Sequence, residues 1–213
     1  MLSDDYLLRM IQQGSIVLSR IIGLKKTGDF QEALQEIDQS LEQVLGINKE
    51  IIRNMDDESI YKILTKDEQI DINRLGIIAD LYKEEADIVG DQGQPECHNY
   101  YLRSLNYYLL KYSNEEPSQQ IETMNKINSI VEIIGSKELP SETLFNLFCY
   151  YENRTEYTNA ENMLKALALL PEANNYVREE TISFYKRLLS LDPEKLAASG
   201  LNLEQIQSKL KEK

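Results

Sequence analysis

The amino-acid sequence predicts an all-α protein, on three observations. Apolar residues recur at helical spacing along most of the chain, as in Leu7, Leu8, Ile11, Leu18, Ile21 and Ile22, or Ala33, Leu34, Ile37, Leu41 and Val44. The five Pro of its 213 residues fall between these periodic segments. No stretch alternates apolar and polar residues between turn signals, so no hairpin is expected. With 42% apolar residues the chain is able to bury a continuous core, which excludes disorder over its whole length.

The first helix starts near Ser3. Asp4 and Asp5 sit where the helix dipole favours anions, Lys25 and Lys26 where it favours cations, and Thr27-Gly28-Asp29 ends it. Phe30 to Leu45 follows, with Gly46 as its left-handed stop, so residues 4–45 read as a helix pair. Shorter segments lie around Asn48 to Arg53 and Asp57 to Leu64. Thr65 with Glu68 is read as a capping box that opens a long helix reaching Val89. Gly90-Asp91-Gln92-Gly93 breaks it, and Pro95 suits the first turn of the next helix, through His98 to Tyr112, giving a pair over 66–112.

Further helices are expected from Ser118 to Ile134, Ser141 to Glu152, Glu156 to Leu169 and Asn174 to Leu191, the middle two pairing over 141–169. Asp192-Pro193 reads as the start of a short helix closed by Gly200, and Asn202 as the cap of a last helix to Lys211. The closing helices thus occupy 174–211, and one domain over 1–213 is expected.

Three segments share a register: Gly28-x-Phe30-x2-Ala33-x3-Ile37, Cys97-x3-Tyr101-x2-Ser104-Leu105, and Tyr157-x2-Ala160-x3-Leu164. A small side chain at the anchor lets a partner helix draw near, and the larger residue four positions on fills the groove. This pattern resembles the second helix of the tetratricopeptide repeat, and Leu147-Phe148-x2-Tyr151 resembles its first, with Phe148 in place of Gly. The anchors recur at nearly twice the usual period of about 34 residues, and Leu75-Gly76 stands too far from Cys97 for one standard repeat. The resemblance implies a TPR-like, irregular right-handed array of antiparallel helix pairs. The opening Asp5-Tyr6-Leu7-Leu8-Arg9-Met10-Ile11, the hairpin Gly28-Asp29-Phe30-x2-Ala33-Leu34-x2-Ile37 and the end Phe184-Tyr185-x-Arg187-Leu188-Leu189 resemble an uncharacterised bacterial family of small TPR-like helical proteins. That likeness implies no activity, and it implies that both ends of the chain belong to the fold.

Charge narrows the partners. Lys and Arg number 23 against 36 Asp and Glu, a net charge of −13 that argues against a nucleic-acid partner. The N-terminus carries acids where a signal peptide carries cations, and no window nears the roughly 18 apolar residues of a membrane span. No membrane partner is expected. Cys97 and Cys149 fit free thiols, and a bacterial cytoplasmic setting follows as the expectation.

No reaction is legible. His98 is the sole histidine, and Cys97 beside it points about 100° away on a helix. No metal-ligand spacing and no glycine-rich phosphate loop is present, so no catalytic residue, metal or cofactor is assigned and the chain is expected not to be an enzyme. Thirteen tyrosines, many within 100–112 and 150–157, either fill grooves between helices or line a recognition surface. Tyr101 and Tyr151 are expected in the core, with Tyr100 and Tyr150 turned outward. The runs Asp56-Asp57-Glu58, Glu84-Glu85-x-Asp87, Glu115-Glu116 and Glu179-Glu180 are expected on solvated faces and caps, where Glu84, Glu85 and Asp87 attract a basic partner.

The function expected is a non-catalytic protein- or peptide-interaction module. In TPR-like arrays the first helix of each pair lines the concave face, which implies exposure of Asn73, Arg74, Ile77 and Asp80, and of Glu142, Phe145, Asn146, Cys149 and Glu152. The candidate ligand-binding residues are Asn73, Arg74, Asp80, Asn146, Tyr150 and Glu152. The alternative is a self-associating structural or peptide-sensing regulatory protein without a DNA-binding domain, its partner a second copy in a homodimer.

Overall fold

The computed structural model describes residues 2–135, 139–171, 175–192, 196 and 203–211. Its helices are α1 (Leu2–Thr27), α2 (Phe30–Leu45), α3 (Lys49–Arg53), α4 (Asp57–Leu64), α5 (Ile72–Asp91), α6 (Cys97–Asn114), α7 (Gln120–Ile134), α8 (Ser141–Asn153), α9 (Tyr157–Leu169), α10 (Asn175–Leu189) and α11 (Leu203–Lys211). The protein is all-α. Leu7, Leu8 and Ile11 lie in α1, with their side chains outside the described ones. Pro193, Gly200 and Asn202, read above as boundaries of the closing helices, also lie outside the described residues.

One boundary differs from the sequence reading by more than two residues. Thr65 and Glu68 do not cap a helix, because two-residue strands β1 (Thr65–Lys66) and β2 (Gln69–Ile70) form a small antiparallel ribbon there. Asp67 and Glu68 turn it with φ of 51° and 64°, and α5 begins later, where the Asp71 carboxylate accepts from the N–H groups of Asn73 and Arg74 at 3.2 and 3.0 Å. Strands this short carry no readable alternation, which is why no hairpin was expected. At Gly46, by contrast, the left-handed stop is present: φ is 71° and its N–H donates to the Glu42 carbonyl at 2.8 Å.

The helices gather into two compact units, residues 1–136 and 137–213. In the first, α1 packs on α2, both pack on α5, α5 pairs with α6, and α6 receives α7, while α3 and α4 lie against α2. Helix α2 shows how sequence sets this packing. Ala33, Ile37, Ser40, Leu41 and Leu45 form one stripe, and all are buried. Ala33 is fully enclosed, as a close-contact anchor must be.

The α5–α6 pair draws together differently from the expected register. The Ser104 hydroxyl, fully buried, donates to the Ala79 carbonyl at 2.7 Å, so the helices meet through two small side chains. A Cβ on Gly76 would lie 2.7 Å from Lys111 Cε, and one on Gly90 would lie 3.6 Å from Cys97 Cβ. Cys97 is therefore only half-buried, at the end of the pair, and Ser104 one heptad later fills the anchor's role. In the second unit α8 pairs with α9, and α10 packs on α9 and α11. Ala160 is fully enclosed, and Phe148 packs edge-on to Phe184 at 5.5 Å, so the residue standing at the repeat's glycine position fills core instead.

Ala33→Glu and Ala160→Glu each place a carboxylate in a closed helix contact and should cost about 3 kcal/mol or more. A thermal melt matching the parent for either variant would contradict the packing described.

Candidate functional site

Helix α5 carries Asp80, Lys83, Glu84, Glu85 and Asp87 within two and a half turns, a run that reads as a solvated face. The structure corrects this reading. Glu84 and Glu85 are only 7% and 3% exposed, because α1, α2 and α6 enclose the helix. Two of the cations come from elements distant in sequence, and Lys83 from α5 itself. Lys25 Nζ of α1 lies 2.5 Å from both Glu84 Oε2 and Asp87 Oδ2, and Lys83 reaches Asp87 at 2.8 Å. Arg53 of α3 bridges Glu85 at 2.7 Å and Asp38 of α2 at 2.5 Å.

These pairs set the ionisation of the acids. Burial pushes the Asp87 carboxyl up, but hydrogen bonds from Lys25, Lys83 and Tyr101 outweigh it and hold its pKa below the usual carboxylate range. For Glu85 burial outweighs Arg53, and its pKa is raised. Asp57 is likewise paired with side chains from another helix. It accepts from Arg103 Nε at 2.8 Å and from the Tyr107 hydroxyl at 2.6 Å, tying the start of α4 to α6.

Several tyrosines of this unit pack between its helices. Tyr82 is fully buried, stacked between Tyr107 at 5.7 Å and Tyr100 at 6.4 Å, with the Arg103 guanidinium 4.5 Å from its ring centroid. Tyr101, expected in the core, is half-buried and donates its hydroxyl to Asp87 at 2.8 Å. Tyr107 and Tyr108 take the buried positions instead. Tyr100, expected outward, is half-buried in the stack. Among the described residues the Tyr82 hydroxyl and His98 Nδ1 are buried without a hydrogen-bond partner.

Helices α5, α6 and α7 surround a pocket of about 330 Å³. Asp80, Lys83 and Glu84 come from α5, Tyr108 from α6, and Glu122 and Lys126 from α7, with Asn125 and Ser129 exposed at its rim. The Tyr108 hydroxyl donates to Asp80 Oδ1, and Lys126 Nζ lies 2.7 and 3.0 Å from the two Asp80 oxygens. Lys126 also reaches Glu122 at 3.1 Å. Burial lowers the proton affinity of the Lys126 ammonium, but Asp80 and Glu122 outweigh burial and raise its pKa. The site thus presents opposed charges beside the apolar side chain of Ile130, an arrangement suited to a group that carries charge.

The six candidate residues take different places. In the first unit Asp80 opens on the pocket, and Arg74 donates its guanidinium to the Val44 carbonyl, Nε at 2.8 Å, closing the last turn of α2. Arg74 thus grips a backbone carbonyl of its own chain. Asn73 is half-buried in the first turn of α5. In the second unit Asn146 is half-buried on α8, and Glu152 accepts from Arg187 at 2.8 and 3.0 Å. Tyr150 is not turned outward: it is 3% exposed, because Thr143, Leu147 and Tyr150 form a second buried row beside that of Leu144, Phe148 and Tyr151, and its ring meets Tyr151 at 5.2 Å. Sequence reasoning missed Tyr108, Glu122 and Lys126. The Glu122–Lys126 spacing of an i,i+4 pair was a readable signal, but nothing local connects it to Asp80.

Among the described residues no group of three or more His, Cys, Asp or Glu side chains is arranged to hold a metal ion. No described helix is long and apolar enough to cross a membrane. The family described as "Family of unknown function (DUF6483)" matches residues 1–213. No curated protein and no solved structure matches the chain.

Arg53→Met leaves Glu85 enclosed without its cation and should destabilise the fold by about 3–5 kcal/mol, recovered in part by adding Glu85→Gln; denaturant titration of both variants checks it. A second expectation concerns alkaline pH. Burial foremost, with hydrogen bonds to Asp87, Asp57 and Asp80, pushes the Tyr101, Tyr107 and Tyr108 phenols above their usual value. Their stabilising contribution is full below the unfolded pKa of about 10 and is lost as pH rises from there towards the folded values. Phenolate absorbance from these rings should therefore appear together with loss of helical circular dichroism, and ionisation with the helices intact would contradict their burial.

Proposed function

We propose that this chain, which belongs to DUF6483, a family of unknown function, is a non-catalytic protein- or peptide-interaction module that receives its ligand at the pocket between α5, α6 and α7. The observation that carries the reading is the pocket itself: a solvent-open concavity whose Asp80 carboxylate is aimed and held by Tyr108 and Lys126. Sites that fix orientation with a few placed polar groups are suited to binding. The surrounding acids are already engaged by Lys25 and Lys83, which supports recognition over proton transfer.

A TPR-like arrangement is part of the proposal. The sequential pairs α1–α2, α5–α6 and α8–α9 support it, as does the antiparallel run of α5 against α6 through Gly90–Cys97, Ala79–Ser104 and Gly76–Lys111. We place the protein in a bacterial cytoplasm, a setting suited to Cys97 and Cys149 as free thiols. Self-association is the second reading, favoured by Leu169 and Ile16, which expose 86% and 69% of their surfaces.

Selection of a displayed random peptide library against the immobilised chain tests the reading, with Asn125→Trp/Ser129→Trp as the blocked form. Selected peptides should lose at least about tenfold in affinity on the blocked form, equivalent to about 1.4 kcal/mol. Equal affinity for both forms moves the ligand surface elsewhere. Failure to select any peptide, with a concentration-independent dimer by light scattering, supports self-association instead.

A further inference from the structure

Lys126 occupies its place in the pocket as a ligand would. Its Nζ lies within 3.0 Å of both Asp80 oxygens and 5.4 Å from the centroid of the Tyr108 ring, so a carboxylate and an aromatic face converge on one cation. The receiving groups are preorganised. Tyr108 is 1% exposed, its ring is fixed by packing, and its hydroxyl anchors Asp80. Neighbouring Glu84 is held by Lys25 and Lys83 and does not compete for the same cation.

The occupant, unlike the receptor, is replaceable. Lys126 arrives on a flexible four-carbon stem from α7, its side chain is 34% exposed, and its alternative partner Glu122, one turn away, is 79% exposed. It can retain that i,i+4 pair after leaving Asp80. When it does, Lys25 and Lys83 stay engaged with Glu84 and Asp87 and Asp80 is left without a cation, an excess of negative charge in a chain whose net charge is −13. Two carboxylate oxygens offered side by side match the parallel N–H groups of a guanidinium better than a single ammonium.

We infer that the pocket is a receptor for a basic side chain, arginine above all, and that Lys126 is an internal stand-in which the incoming cation displaces from Asp80. The inference rests on the peptide-binding reading for its cellular meaning, but its chemistry is testable alone.

The probe is arginine capped as N-acetyl-arginine methylamide, with capped citrulline as the uncharged isostere, titrated calorimetrically into the full chain. Lys126→Met keeps the stem and removes the competing charge. It should bind capped arginine at least about tenfold more tightly than the parent, should not bind capped citrulline, and should lose arginine binding when Asp80→Asn is added. Equal affinity of parent and Lys126→Met, binding of citrulline as strong as arginine, or binding that survives Asp80→Asn would each overturn the inference. If Lys126→Met does not reproduce the parent's helical circular dichroism, the parent itself provides the readout. Saturating capped arginine must then shift the NMR signal of the Lys126 ammonium, and an unmoved signal overturns the inference. Failure here with peptides still blocked by the Asn125→Trp/Ser129→Trp rim would leave the interaction module standing and remove only its preference for arginine.

Discussion

Helix α5 is enclosed along most of its length, and an enclosed helix carries carboxylates only where neighbours bring cations to them. Desolvation makes an unpaired buried charge as costly as a large cavity in the core. That constraint organises the first unit. Lys25 fixes α1 against α5, and Arg53 fixes α3 against α2 and α5. Apolar stripes such as that of α2 tolerate rotation and sliding by a fraction of a turn. The ion pairs do not, because each cation reaches its carboxylates from one position, so they select one register among several that the hydrophobic pattern allows.

The same constraint explains what was legible in the sequence and what was not. The α2 helix, its glycine stop and the enclosed Ala33 and Ala160 follow from spacing within one segment, and they were readable because a local pattern determines them. Glu84 and Glu85 were misread because consecutive acids look solvated until Lys25 and Arg53 are seen beside them. Their partners lie 59 and 32 residues away in sequence, which no helical periodicity reports. The start of α5 was misplaced because two helix caps competed, Thr65 with Glu68 against Asp71, and the ribbon took the first pair. Tyr150 was misassigned because α8 buries a wider face than one stripe.

Of the candidate site, sequence reading located one wall. Asp80 follows from placing residues on the face of α5, whereas Tyr108 and Lys126 reach it only through the packing of α6 and α7. The distinction between Asp80 and Arg74 is likewise invisible in sequence. Both stand on the same helix, yet Arg74 is spent on the Val44 carbonyl while Asp80 faces a space large enough for a side chain. A pocket whose walls come from successive helices is a property of their docking, and it acquires meaning only after the ion pairs have set that docking.

The column of rings Tyr100, Tyr82 and Tyr107 has a spectroscopic consequence. The chain has no tryptophan, so its near-ultraviolet optical activity comes chiefly from tyrosine, and rings locked at 15° and 24° to Tyr82 supply a fixed chiral arrangement. Loss of side-chain order leaves helix content untouched but erases that arrangement. The protein thus carries a native chromophore for tertiary order, separable from its secondary structure without any label.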